Sequence, residues 1–169
     1  PGTLLTLWCG RANSPARRAA TAAIAAAVAL AVLALLLAQA PAVFGGAVPE
    51  SRSAWVPMIG LAADFRLDGL ALMFALLIAG IGLLIVVYAA FYLHADDPAG
   101  KFFAQLMLFM AAMLGIALSD NLLLLVVFWE LTSVSSFLLV GYWGHKAEAR
   151  QGARMALTVT GLGGLCLLA

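Results

Sequence analysis

The residue most out of place in this chain is Glu130, a carboxylate near the middle of an apolar run from Asn121 to Trp143. A charged side chain at the centre of a bilayer costs roughly 2.5–3.5 kcal/mol on insertion scales. Such a group persists when it is paired, when it sits in a wet cavity, or when it takes up and releases protons or cations. Helical spacing places Glu130, Ser133, Val134 and Phe137 on one face, and Thr132, Ser135 and Ser136 add hydroxyls nearby. Ser133 and Ser136 are therefore candidate steps of a proton path at Glu130. A plainer reading stands beside this one: Glu130 is a buried structural acid, and the hydroxyls bond back to their own helix or pack as small residues. No Lys, Arg or His falls inside any apolar run as read from the sequence, so no cationic partner for Glu130 is in view.

The other polar residues carry weaker signals. Asp68 and Asp120 stand at the starts of apolar runs, where a carboxylate caps a helix or marks an ion entrance. Asp96 and Asp97 precede Pro98 and read as a solvated capping turn. Cys9 and Cys166 are far apart without CxxC spacing, and His94 and His145 sit at the ends of apolar runs. We expect no disulfide framework, no metal and no cofactor. Gly161, Gly163 and Gly164 lie in an apolar run with no preceding strand, so they read as a close helix approach rather than a nucleotide loop; Gly80 and Gly82 read likewise.

These residues must be positioned by membrane helices. The 169 residues are 65% hydrophobic and 10% charged, with mean hydropathy +1.08. A soluble domain is about 45–50% apolar and about 25% charged. The expected fold class is all-α, a polytopic transmembrane helix bundle in the bilayer. A formal charge of +1 gives no reason to expect a nucleic-acid partner. Hydropathy places spans at Ala19–Ala40, ended by Pro41 and the Gly45-Gly46 pair, and at Gly69–Leu93, Phe102–Leu118 and Asn121–Trp143. A further span runs from Met155 to Ala169, and Thr3–Trp8 reads as the tail of an earlier one. Arg17-Arg18 before the Ala/Leu-rich run imitates a signal peptide, but the run is longer than the ~7–15 residues of an h-region. The long connection before Gly69 is expected to hold a re-entrant or interfacial piece around Trp55–Ala63. Ser119-Asp120-Asn121 is so short that the spans on either side must form an antiparallel hairpin.

Basic residues set the orientation. Arg11, Arg17, Arg18, Lys101, Lys146, Arg150 and Arg154 fall in loops on one side, and only Arg52 and Arg66 on the other. The positive-inside rule puts the first group in the cytoplasm. Glu130 then lies about 14 Å along its span at 1.5 Å per residue, near the midplane. Both ends of the chain read as cut.

Phe65 to Leu72, Leu118 to Leu125 and Phe128 to Trp143 are three stretches that together resemble the antiporter-like subunits shared by respiratory complex I and the Mrp-type multisubunit cation/proton antiporters. The Trp129-Glu130-Leu131-Thr132-Ser133 form and the stretch Ala149 to Leu157 are most similar to the A-type subunits of the Mrp branch. Complex I relatives carry an arginine and an acid in the stretch that here reads Val159 to Gly164, and both are absent. The resemblance implies a division into residues 1–64, an N-terminal transmembrane region, and 65–169, the start of a proton-translocating domain. It also implies a secondary transporter subunit rather than an enzyme, in a bacterial inner membrane, with other antiporter subunits as partners and protons and monovalent cations, Na⁺ foremost, as cargo. Glu130 corresponds to the family's glutamate that pairs with a lysine on a later helix, absent from this chain. A proton-pumping subunit of an NADH-quinone oxidoreductase is the alternative, and a purely structural membrane subunit the third reading.

Overall fold

A computed structural model describes residues 15–168, apart from 57, 59, 95 and 96. The expected helix tail at Thr3–Trp8, together with Cys9, Arg11 and Asp96, lies outside the described residues. Among the described residues five helices follow one another: α1 Pro15–Phe44, α2 Gly69–Tyr92, α3 Ala99–Leu118, α4 Leu122–Val140 and α5 Ala147–Leu168. The first four are long and apolar enough to cross a membrane. The fifth has the length, but Glu148, Arg150 and Arg154 occupy its first two turns.

Several boundaries differ from the hydropathy reading: α1 begins at Pro15 and α3 at Ala99, each about a turn early, and three further differences have a local reason. α1 continues through Pro41 to Phe44, because a proline in the last turn removes one N–H without breaking the turns before it. The true stop is Gly46, at φ 89°. The amide of Ala47 donates to Ala42 O (3.0 Å) and that of Gly46 to Val43 O (3.0 Å), the paired bonds of a Schellman motif that only a left-handed residue closes cheaply. α5 starts at Ala147 rather than Met155, since a polar first turn winds as well as an apolar one when Glu148 meets the positive end of the helix dipole. Arg150 and Arg154 are thus helical rather than loop residues. α4 ends at Val140, with Gly141 as its C-cap, which leaves Tyr142 and Trp143 beyond the span.

The connection between α1 and α2 is not a re-entrant helix. It forms two short antiparallel pairs, β1 (Glu50–Ser51) with β4 (Phe65–Arg66), and β2 (Ala54–Val56) with β3 (Leu61–Ala62). They cover the α3–α4 turn: Phe65 bridges to Ser119, Asp120 N donates to Asp64 O at 2.9 Å, and Asn121 Nδ2 donates to Gly60 O at 3.2 Å. The α3–α4 hairpin itself is as short as expected.

The helices pack through small side chains. Leu72, Ala75, Ala79, Gly82, Val86 and Ala89 form one buried stripe on α2 at steps of three and four. It faces Ala25, Ala29 and Leu36 of α1. Lipid is as apolar as leucine, so close packing rather than water exclusion holds such helices together. Two crossings depend on missing side chains: a Cβ on Gly82 would overlap Met110, and one on Gly115 would overlap the Phe128 ring. The second crossing seats the middle of α4 against α3, two residues before Glu130.

The basic end of the bundle is cross-tied. Arg18 Nη2 donates to Leu93 O at 2.6 Å, a cation answering the free carbonyls at the end of α2. Asp97 is no solvated turn: its Oδ2 accepts from His94 N (3.0 Å) and its Oδ1 from Trp143 Nε1 (3.2 Å). α3 accordingly begins without a side-chain cap. Phe102, Tyr142 and Trp143 stack edge to face around this tie.

Candidate functional site

Glu130 is the ninth residue of α4, about 12 Å from its start in a helix about 28 Å long at 1.5 Å per residue. The residue is half-buried, and its Oε1 is buried with no hydrogen-bond partner among the described residues. It points at α5, where Gly164 is buried. A Cβ built on Gly164 would overlap Oε1 and stand 3.0 Å from Glu130 Cδ and 3.0 Å from Trp129 Cδ1. The carboxylate therefore occupies the space that any other residue at 164 would fill. Trp129 docks one turn earlier on α5, its Nε1 donating to Thr160 O at 3.3 Å, and its ring lies 3.9 Å from the position of a Gly163 Cβ. Gly161, read with the others as a contact glycine, has nothing within 4 Å of a Cβ, and neither has Gly80.

Three of the hydroxyls expected around Glu130 bond back to their own helix. Ser133 Oγ donates to Trp129 O (3.2 Å), Thr132 Oγ1 to the same carbonyl (2.7 Å), and Ser135 Oγ to Leu131 O (2.8 Å). Ser133 and Ser135 are fully buried, and Ser136 is half-buried. None of these hydroxyls bonds the carboxylate. Back-bonding to the preceding turn satisfies the buried Ser133 hydroxyl without a partner from another helix.

The two carboxylates at the opposite end from the cross-tie behave differently from each other. Asp68 is the N-cap of α2, its Oδ1 accepting from Ala71 N at 2.9 Å. Asp120 is not the cap of α4; that role falls to Asn121, whose Oδ1 accepts from Leu124 N at 3.1 Å. Asp120 instead lies 3.9 Å from Arg66 Nη1, while Arg66 Nε is 4.0 Å from Asp68. All three are well exposed, and such loose pairs contribute little. The residues that sequence reasoning missed are Trp129 and Gly164 as the seat of Glu130. The glycine cluster was visible, but which of its members meets the carboxylate depends on the rotation of α5.

A carboxyl oxygen placed this way has its hydrogen-bonding capacity unused among the described residues, and a charged group left unsatisfied in an apolar setting is several kcal/mol uphill.

Two family models match the chain. Residues 55–103 match one described as "NADH-Ubiquinone oxidoreductase (complex I), chain 5 N-terminus". Residues 119–169 match one described as "NADH:quinone oxidoreductase/Mrp antiporter, TM", and together the two take in more than half of the sequence. A probable K(+)/H(+) antiporter subunit of A/B type from Rhizobium meliloti (strain 1021) is 54% identical over 75% of this chain and 13% of its own length. An A1-type subunit of a Na(+)/H(+) antiporter from Staphylococcus haemolyticus (strain JCSC1435) is 52% identical over 68% of this chain and 14% of its own. The chain thus spans less than one fifth of the length of these relatives. Among solved structures, the "Structure of Mrp complex from Dietzia sp. DQ12-45-1b" matches 99% of this chain and 18% of its own, with a TM-score of 0.77 at 28% identity.

Proposed function

Because the chain belongs to the antiporter-like membrane family of complex I and the Mrp antiporters, on the Mrp branch and among its A-type members, we propose that it works as part of a monovalent cation/proton antiporter, with Glu130 as a proton-exchanging group. The observation that carries this reading is the buried Oε1 of Glu130, in the middle of an apolar helix and without a hydrogen-bond partner among the described residues. A structural acid would be expected to have its hydrogen bonds made within the bundle. An acid that changes protonation needs a partner that comes and goes, which the lysine implied by the family resemblance would supply. Ser136 remains a proposed hydroxyl near the path, whereas Ser133 donates to a backbone carbonyl and could serve only as an acceptor. Asp68 and Asp120 remain proposed as entrance carboxylates, beside the cap that Asp68 forms and the loose pairs that both make with Arg66. The relatives' names point to exchange of Na⁺ or K⁺ for H⁺, and on this reading the chain works in a bacterial cell membrane. The antiporter's other membrane subunits would complete the machine.

The test is Glu130→Gln in the complete complex, assayed as cation-driven proton exchange in everted membrane vesicles. We expect exchange to be lost while the complex still assembles, because glutamine keeps the shape and removes the proton. Full exchange with normal assembly would refute the role. The second reading, a proton pump driven by electron transfer, draws on the complex I description of the model matched by residues 55–103. It predicts that proton movement requires an electron donor, whereas antiport proceeds without one.

A further inference from the structure

At the basic end of the bundle, well away from Glu130 along α4, lies a cavity of about 200 Å³ lined by Lys101, Gln105, Phe137, Arg150, Ala153 and Arg154. Lys101 and Gln105 are one turn apart on α3, and Arg150 and Arg154 one turn apart on α5, so two helices each present a cation-bearing edge to the same space. No carboxylate lines it, and none of its three cations has an ion-pair partner among the described residues. Arg150 is held in place by its Nη1, which donates to the carbonyls of Gly144 (2.9 Å) and His145 (3.2 Å). Its remaining guanidinium donors are uncommitted, and a guanidinium fork matches phosphate oxygens in geometry as well as charge. The second observation is Gln105. It is 8% exposed, it lines the cavity, and its Oε1 has no hydrogen-bond partner among the described residues. The two ends of an amide are interchangeable by rotation, so the same side chain offers a phosphate oxygen its N–H groups.

We propose that this cavity binds the phosphate headgroup of an anionic phospholipid. Three cations without a carboxylate select negative charge, and basic pockets between helices at a membrane surface are suited to acidic headgroups. A second feature favours a lipid over free phosphate. An apolar groove of about 400 Å³, lined in part by Leu77, Ile81, Ile85, Phe102, Phe109 and Leu139, runs between α2, α3 and α4. Phe102 and Leu139 are the chain neighbours of Lys101 and Leu138, which line the basic cavity. The two spaces thus share α3 and α4, so an acyl chain leaving the headgroup finds apolar surface on the same two helices. This proposal is independent of the role of Glu130.

The experiment uses the complete complex, purified in detergent, stripped of lipid and followed by its thermal unfolding midpoint. Phosphatidylglycerol should raise the midpoint, while phosphatidylcholine and inorganic phosphate at equal concentration should not. In Lys101→Gln/Arg154→Gln the phosphatidylglycerol concentration for half the effect should rise about 25-fold, from about fivefold for each cation removed. Should that double variant fail to assemble, Gln105→Met carries the test and should weaken the response several-fold. An equal response to inorganic phosphate or phosphatidylcholine would overturn the assignment. So would variants that respond as the unaltered complex does, or an unaltered complex indifferent to phosphatidylglycerol, in which case an acidic side chain of the assembly fills the cavity.

Discussion

Replacing Gly164 by alanine tests the seat of Glu130 most directly. The added methyl carbon would overlap Oε1 of Glu130 and lie 3.0 Å from both its Cδ and Trp129 Cδ1, so the carboxylate must swing away or α4 and α5 must part. Overpacking of this kind costs about 1–3 kcal/mol. Against it stands the helix-forming gain of alanine over glycine, about 1 kcal/mol. The net effect at Gly164 is a loss of up to about 2 kcal/mol, with the displacement concentrated on the one carboxylate in the middle of the span. Cation-driven proton exchange in everted vesicles should fall well below that of the unaltered complex while assembly of the complex stays measurable. Gly161 supplies the control on the same helix: nothing lies within 4 Å of its Cβ position, so Gly161→Ala should leave exchange intact and stabilise by about 0.5–1 kcal/mol. In a Glu130→Ala background the clash with the carboxylate is gone, and Gly164→Ala should lose most of its cost, leaving only the push on Trp129. If Gly164→Ala exchanges protons normally, or costs as much stability without the Glu130 side chain as with it, the carboxylate does not sit where we place it.

Other outcomes follow from the same structure. Asn121→Ala removes the cap bond to Leu124 N and should destabilise by about 1 kcal/mol, read as a lower unfolding midpoint, whereas Asp120→Ala should change it little. Trp143→Phe deletes the donor to Asp97 and should cost about 1.5–3 kcal/mol, as for other hydrogen bonds to a charged group; an unchanged midpoint would show that the tie contributes nothing. The Tyr142 phenol is pushed up to about 12, first by burial and then by the nearby Asp97, with Arg18 pulling it down. Its folded value exceeds the ordinary 10, so the neutral phenol's contribution is fully present below pH 10 and is lost as pH rises toward 12. Ultraviolet titration of the complex should therefore show a late tyrosinate component that Tyr142→Phe removes.

Hydropathy was enough to find α2, α3 and the hairpin into α4, because a bilayer enforces long apolar runs and a three-residue link leaves one geometry. It was not enough to find where α1 stops or α5 starts. Pro41 reads as a breaker on its own, and only the Gly46 turn that follows shows that the helix continues. The polar first turns of α5 look like loop because charge, not helical period, dominates their composition. The strand pairs before α2 are too short to show alternation, and what fixes them is contact with the α3–α4 turn. At the site, the identity of Glu130 was legible from cost alone. Its orientation was not, since the choice between the Ser133 side and the Gly164 side depends on where α5 docks. Asp97 was misread for a similar reason: its second partner, Trp143, lies 46 residues away in sequence.

The cross-tie also sets a schedule for synthesis. Arg18 bonds the carbonyl of a residue 75 positions later, so at about 5–20 residues per second the foot of α1 waits roughly 4–15 seconds for its acceptor to be made. The Asp97 clasp waits again for Trp143. Until each arrives, this end of the newborn helices lacks its polar ties and relies on the small-residue packing of α1 against α2. A ribosomal pause or a truncation between Leu93 and Trp143 would thus leave the first helices anchored at one foot and loose at the next, an intermediate that crosslinking on stalled ribosomes could capture.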